Sequence, residues 1–261
     1  MSTQHADDGA VVLTVDADVA VISLNCPERL NAVNDHIVEG LLDALSEVEQ
    51  SGCGAAVLAG RGRAFCAGHD LKEPRGDDAG LSRRLEHLQE ITRRIRKLPI
   101  PVIAAVHGHA VGAGAEFALG CDLVVAAEGM RFRFPEVGIG LSVTGGITKL
   151  LPLLVGPVKA KELLLLGEPI DAQEALRLGL VNRVVPPDQL MDATLDWARR
   201  LASQPRLPTA LAKAALNNGI DAAFEAGLGL EVSHALITDA EANDRDNDEA
   251  LAASRARNRG T

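Results

Sequence analysis

Aromatic side chains are scarce: the 261 residues include five Phe, one Trp (Trp197) and no Tyr. That argues against a large binding site built from stacked rings. Basic runs are also missing. The densest is the short cluster Arg93, Arg94, Arg96, Lys97, and 36 acidic against 26 basic residues give a formal charge of −10. Neither nucleic acid nor an anionic membrane is therefore expected as a partner, because both need a concentrated basic footprint. No apolar run approaches the roughly 18 residues of a membrane span. Residues 1–10 are polar and acidic, without the basic start and apolar stretch of a secretion signal, so a cytoplasmic protein is expected. The four cysteines, Cys26, Cys53, Cys66 and Cys121, lie far apart and form no CxxC pair. This removes the common zinc and dithiol motifs and leaves buried or idle thiols.

Apolar residues make up 47% of the chain, enough for one large domain or a domain with a smaller appendage. Short runs rich in Val, Ile and Leu at 11–15, 19–24, 55–58, 102–106 and 123–126 have the length of strands covered on both faces. Between them, Ile37, Leu41, Leu42, Leu45 and Val48 recur at helical spacing, as do Leu81, Leu85, Leu88, Ile91 and Ile95. Strand and helix alternate, which predicts an α/β architecture. After Pro186 and Pro187 no convincing strand remains. We expect a core carrying the active site over residues 1–187 and a helical region over 188–261. Asp244, Asp246 and Asp248 suggest a calcium loop, but Glu249 stands where that loop needs Gly and Arg255 where it needs Glu. A solvated helical face fits the tail better.

Two places share one design, an apolar strand running into a loop of small residues followed by a helix-compatible segment. The first leads into Ala64-Phe65-Cys66-Ala67-Gly68-His69-Asp70-Leu71, the second into Gly108-His109-Ala110-Val111-Gly112-Ala113-Gly114-Ala115-Glu116. Such loops let backbone approach a ligand and aim free amides at it. Gly112 and Gly114 also form half of a dinucleotide fingerprint, but Glu116 and Phe117 follow where its third Gly belongs. A purely structural role in helix packing stays open at this point. Glu116 falls in the first turn of an apolar helix, where desolvation would raise its pKa. Twenty residues later Glu136 stands in Phe134-Pro135-Glu136-Val137-Gly138, again among apolar neighbours. Two such carboxylates converging on one site can position a water and shuttle its protons. His107 and His109 form an HxH pair that flanks the glycine loop and need not bind metal.

Cys26-Pro27-Glu28-Arg29-Leu30-Asn31-Ala32, Phe65 to Leu71, residues 101–116 and Phe134-Pro135-Glu136 resemble, in order and spacing, the signatures of the enoyl-CoA hydratase/isomerase (crotonase) family. Gly167-Glu168-Pro169-Ile170-Asp171-Ala172, Ala175, Gly179-Leu180-Val181 and Val184-Val185-Pro186 extend the likeness over roughly residues 10–215. The resemblance implies a crotonase-like spiral of ββα units with a helical C-terminal region that builds trimers, often paired into hexamers. It implies oxyanion-hole amides at His69 and Ala113, and a water held between Glu116 and Glu136. It also implies CoA or substrate contacts from Arg29, Ala64, Ala67, Gly68, Asp70, Leu71, Gly112, Gly114, Val143 and Thr144. The substrate would be an acyl-CoA, with no metal and no cofactor beyond the coenzyme A that the substrate carries.

The sequence departs from the family in two places. Ser142-Val143-Thr144-Gly145-Gly146 replaces the Pro-Gly-Ala-Gly-Gly type stretch of many family hydratases. Ser254-Arg255-Ala256-Arg257 replaces the usual aromatic and lysine pattern of the tail. Hydration of a trans-2-enoyl-CoA is the leading expectation. A Δ3,Δ2-enoyl-CoA isomerase or other crotonase reaction, and a silent acyl-CoA binder, are the alternatives.

Overall fold

The computed structural model describes residues 9–72 and 78–244. The expectations for the tail beyond residue 244 lie outside them. The chain opens with β1 (Val11–Asp16) and β2 (Val19–Leu24), an antiparallel pair. Helix α1 (Asp35–Ser51) follows, its N-terminus capped by Asn34, whose side-chain oxygen accepts from the Ile37 amide at 3.0 Å. Then come β3 (Ala55–Gly60), α2 (Asp78–Lys97), β4 (Val102–Val106), β5 (His109–Val111), α3 (Ala113–Gly120), β6 (Leu123–Ala127) and β7 (Arg131–Arg133). A tight 3-10 turn at Glu136–Ile139 leads to α4 (Ile147–Val155), α5 (Pro157–Leu166), β8 (Ile170–Asp171), α6 (Ala172–Arg177) and β9 (Arg183–Val185). Helices α7 (Leu190–Ala202) and α8 (Arg206–Asp244) complete the described chain.

The main sheet runs β1-β2-β3-β4-β6-β9, and every pair after the first is parallel. A parallel sheet needs both faces covered, which is why β3 and β4 read as unbroken apolar runs. One face packs against α1, α2 and α3 through Leu41, Leu45, Ile91 and Phe117. The other packs against α7 through Leu190 and Ala198, which meet Val57, Ile103 and Val125.

All five strands read from the sequence are present. The shorter β5, β7, β8 and β9 were not read, because two or three residues carry no period to detect. They matter for the architecture. β5, β7 and β8 form a second small sheet, extended by single bridges from Cys66 to Ala110 and from Val33 to His69. In each turn of the chain a long strand enters the main sheet, a short one enters the second layer, and a helix follows: β4-β5-α3, then β6-β7-α4. Like parts stack on like, β4 beside β6 and β5 beside β7.

Helix α8 lies along α2 and α4. One anchor is the buried ammonium of Lys213, 2.7 Å from Asp122 and donating to the carbonyls of Ile95 and Ile100 at 2.9 Å each. Among the described residues no helix is long and apolar enough to cross a membrane.

Candidate active site

The second layer brings the two small-residue loops together. The 64–71 loop is tied from behind by Asn31, a fully buried residue whose amide nitrogen donates to the carbonyls of Arg61, Ala64 and Phe65 at 2.9, 2.8 and 3.1 Å. Its side-chain oxygen accepts from the Cys26 amide at 2.9 Å. Cys66 then joins the two loops in strand-like fashion, its amide donating to His109 O at 2.9 Å and its carbonyl accepting from the Val111 amide at 3.0 Å.

This pairing sets Gly68 against Gly112. A Cβ on Gly68 would lie 2.7 Å from Val111 O and 3.8 Å from Gly112 Cα, and both glycines have positive φ, 84° and 52°. Only glycine permits backbones to meet so closely in that conformation. The residues that follow these two glycines are His69 and Ala113. Among the described residues neither of their amides meets a backbone carbonyl. Ala113 also begins α3, so its N–H stands at the positive end of a helix dipole.

Both carboxylates expected from the sequence are buried beside these turns. Glu116 is 2% exposed, with Oε1 accepting from the Thr144 amide at 2.8 Å and Oε2 from the Thr144 hydroxyl at 2.6 Å. Burial first, and then the charge of Glu136, push its pKa up to about 8, against the pull of the two Thr144 hydrogen bonds. Glu136 is 5% exposed, and a Cβ on Gly112 would collide with its Oε1. Burial raises its pKa to about 7, opposed by its own amide and by Arg133. Its Oε2 is buried with no hydrogen-bond partner among the described residues.

The remaining expected residues are distributed around this centre. Arg29 sits 2.5 Å from Asp70, pairing a partly exposed guanidinium with a buried carboxylate at the rim of the first loop. Ala64 is buried, Ala67 and Val143 are half-buried, and Leu71 is exposed. Gly114 is buried in the first turn of α3. The His69 imidazole is held neutral, its pKa lowered to about 4 by burial and then by Arg84. The HxH pair does not converge: His107 Nε2 is 2.9 Å from the Gly62 carbonyl, while His109 is exposed on β5.

Three roles escaped the reading of the sequence. Thr144 was expected among the substrate contacts, with nothing to show that its amide and hydroxyl both donate to Glu116. Asn31 was quoted within a motif, with nothing to show that it braces the neighbouring loop. Gln89 of α2 and Glu231 of α8 reach the loop that carries Thr144. A signal for the last two did exist, since each is a polar residue on the buried stripe of its helix, Gln89 beside Leu85 and Leu88, Glu231 beside Leu228 and Val232.

A family model described as enoyl-CoA hydratase/isomerase matches residues 14–250. The chain belongs to that family. It is 37% identical to the short-chain-enoyl-CoA hydratase of Clostridium acetobutylicum over 85% of this chain and 86% of that protein. It is also 37% identical to the 1,2-epoxyphenylacetyl-CoA isomerase of Escherichia coli, over 93% of this chain and 95% of that protein. Among solved structures, an enoyl-CoA hydratase/isomerase from Mycobacterium paratuberculosis superposes with a TM-score of 0.83. It is 32% identical and covers 90% of this chain and 95% of that one. The spiral architecture expected from the sequence is thus the crotonase fold, and the chain is a crotonase-type enzyme of acyl-CoA chemistry.

The raised pKa of Glu136 has a consequence for stability in this crotonase. An unfolded glutamate ionises near 4.3, whereas the folded one does so near 7. The stability that Glu136 contributes is therefore complete below the unfolded value and is lost as pH rises through the folded one. Above neutrality the fold carries a buried charged carboxylate whose Oε2 has no partner among the described residues, a cost on the order of 1–3 kcal/mol. Glu136→Gln removes the charge and is expected to raise the melting temperature by ~2–4 °C per kcal/mol recovered in mildly alkaline buffer. The gain should vanish in acid. Thermal unfolding of both proteins across pH checks this, and parallel curves would refute it.

Proposed function

We propose that this enzyme hydrates trans-2-enoyl-CoA thioesters to 3-hydroxyacyl-CoA. The observation that carries the proposal is the pair of buried carboxylates at one glycine junction, with Glu136 Oε2 meeting no hydrogen-bond partner among the described residues. A buried acceptor in that state is free to take a hydrogen bond from a water or a substrate. Hydration requires two proton positions, one that takes a proton from water and one that gives a proton to carbon. Isomerisation needs only one.

In this reading the thioester oxygen accepts from the His69 and Ala113 amides. Each such donor is worth about 3 kcal/mol once negative charge develops there. Glu116, aligned by Thr144, removes a proton from water as its oxygen bonds to Cβ. Glu136 then protonates Cα of the enolate, giving the 3-hydroxyacyl-CoA. One carboxylate ends protonated and the other ionised, so proton exchange within the pair or with solvent restores the start. Arg29 would reach the CoA phosphates and the 64–71 segment the adenine and pantetheine, while Val143 would border the acyl chain. No metal or further cofactor enters this scheme.

The enoyl-CoA isomerase alternative draws on a solved monofunctional enoyl CoA isomerase from M. smegmatis, 34% identical over 84% of this chain with a TM-score of 0.70. Incubation with crotonyl-CoA discriminates the two. Loss of the conjugated-enoyl absorbance with formation of 3-hydroxybutyryl-CoA by mass spectrometry is expected. Absence of turnover with short, medium and long trans-2-enoyl chains would overturn the proposal, and conversion of 3-enoyl-CoA alone would establish the isomerase.

A further inference from the structure

We propose that Glu231, on the C-terminal helix α8, is a positioning residue for the active site, holding the 144–148 backbone so that Thr144 faces Glu116. The inference rests on the hydratase reading above. Its basis is a full accounting of five successive amides. Thr144 N donates to Glu116 Oε1 at 2.8 Å, Gly145 N to Gln89 Oε1 at 2.8 Å and Gly146 N to Glu231 Oε2 at 2.8 Å. Ile147 N donates to Thr144 O at 3.1 Å, and Thr148 N to Glu231 Oε1 at 2.9 Å, with the Thr148 hydroxyl on that same oxygen at 2.6 Å. Gln89 is oriented in turn by donating from Nε2 to Leu228 O and to Glu231 Oε2, each at 3.3 Å.

The first amides of a helix are ordinarily satisfied by a side chain of the preceding residue. Here that residue is Gly146, which has no side chain to offer. The cap comes instead from Glu231 of the distant α8, which takes Gly146 N and Thr148 N, while Gln89 of α2 takes the amide before them; Glu231 is only 1% exposed. A carboxylate at a helix N-terminus makes charge-assisted hydrogen bonds, but burying it for that purpose alone is costly when a local Ser or Asp would serve. What the remote carboxylate adds is coupling. The loop has no slack against the catalytic group, since a Cβ on Gly145 would lie 2.7 Å from Glu116 Cβ. Movement at 145–148 therefore passes directly to Thr144 and to Glu116.

In Glu231→Gln the side chain keeps its volume but presents one oxygen and an amino group, so that a donor must face either Gly146 N–H or the Thr148 donors. We expect kcat for crotonyl-CoA hydration to fall about 10- to 100-fold, the scale of a sub-ångström to ångström misplacement, with KM changed by less than about threefold. Thr144→Val breaks the same link one step later. The double variant should then be no slower than the slower single variant, because residues acting in series are not additive. Thr148→Val removes one donor from Glu231 without unpairing a carboxylate, and should lower kcat a few-fold even if Glu231→Gln does not fold. Unchanged kcat in Glu231→Gln or Thr148→Val, or multiplicative losses in the double variant, would overturn the inference while the hydratase reading stands. A wild-type protein that hydrates no enoyl-CoA would take both down together.

Discussion

Glu116→Gln is expected to lower kcat for crotonyl-CoA hydration by ~10²–10⁴-fold, the range of a lost general base, with little change in KM. The substitution keeps the local structure. The Gln oxygen still accepts from the Thr144 amide, and the Thr144 hydroxyl can turn to accept from the new amino group. What disappears is the group that removes a proton from water. The wild-type pH profile should be a bell whose limbs belong to the pair of carboxylates. Acid protonates the second carboxylate and abolishes the base; alkali removes the remaining proton and abolishes the acid. Because burial raises both groups and the charge of Glu136 raises Glu116 further, both limbs should lie well above the ordinary glutamate range. They belong to the pair, and in this reading the one proton it keeps between them sits on Glu136 once substrate is bound. Glu116→Gln should leave a residual rate without the bell. A variant with full hydration would refute the role assigned to Glu116, and one that loses hydration but isomerises 3-enoyl-CoA would divide the two reactions between the carboxylates.

Gly112→Ala should be nearly as damaging, with kcat/KM falling ~10²–10³-fold, comparable to loss of one oxyanion donor. Gly112 has φ 52° and ψ −121°, a conformation open to glycine and strained for alanine by about 1–3 kcal/mol. The added methyl would also collide with Glu136 Oε1. One substitution thus disturbs the Ala113 amide and the Glu136 carboxylate together. Gly129→Ala supplies the control, because Gly129 has a similar φ of 80° and open space where its Cβ would be. It should lose stability and keep its turnover. Steady-state kinetics with thermal unfolding separates the two effects. Equal activity in both variants would mean that the junction of Gly68 and Gly112 is a packing device only.

The long strands and the helices α1 and α2 could be read in advance because each carries a local pattern of its own. Unbroken apolar runs such as 102–106 belong to strands covered on both faces, and Leu81, Leu85 and Leu88 mark one face of a helix. The catalytic candidates were visible for a related reason. Glu116 and Glu136 are single charges in apolar surroundings, which is a conflict a sequence displays openly. Thr144 and Asn31 display no such conflict. Both are ordinary small polar residues in loops, and their partners lie 28 residues away in one case and 30 to 34 in the other.

By itself the sequence determined the α/β class, the alternation of elements, the family resemblance and the identity of two carboxylates set among apolar residues. These depend on local pattern and on which residue types burial tolerates. Only the tertiary structure decided that Gly68 abuts Gly112, that Thr144 faces Glu116, and that a glutamate of α8 caps the segment just after Thr144. Those facts depend on how successive turns of the spiral stack, and stacking brings together residues whose separation along the chain carries no trace of their closeness in space.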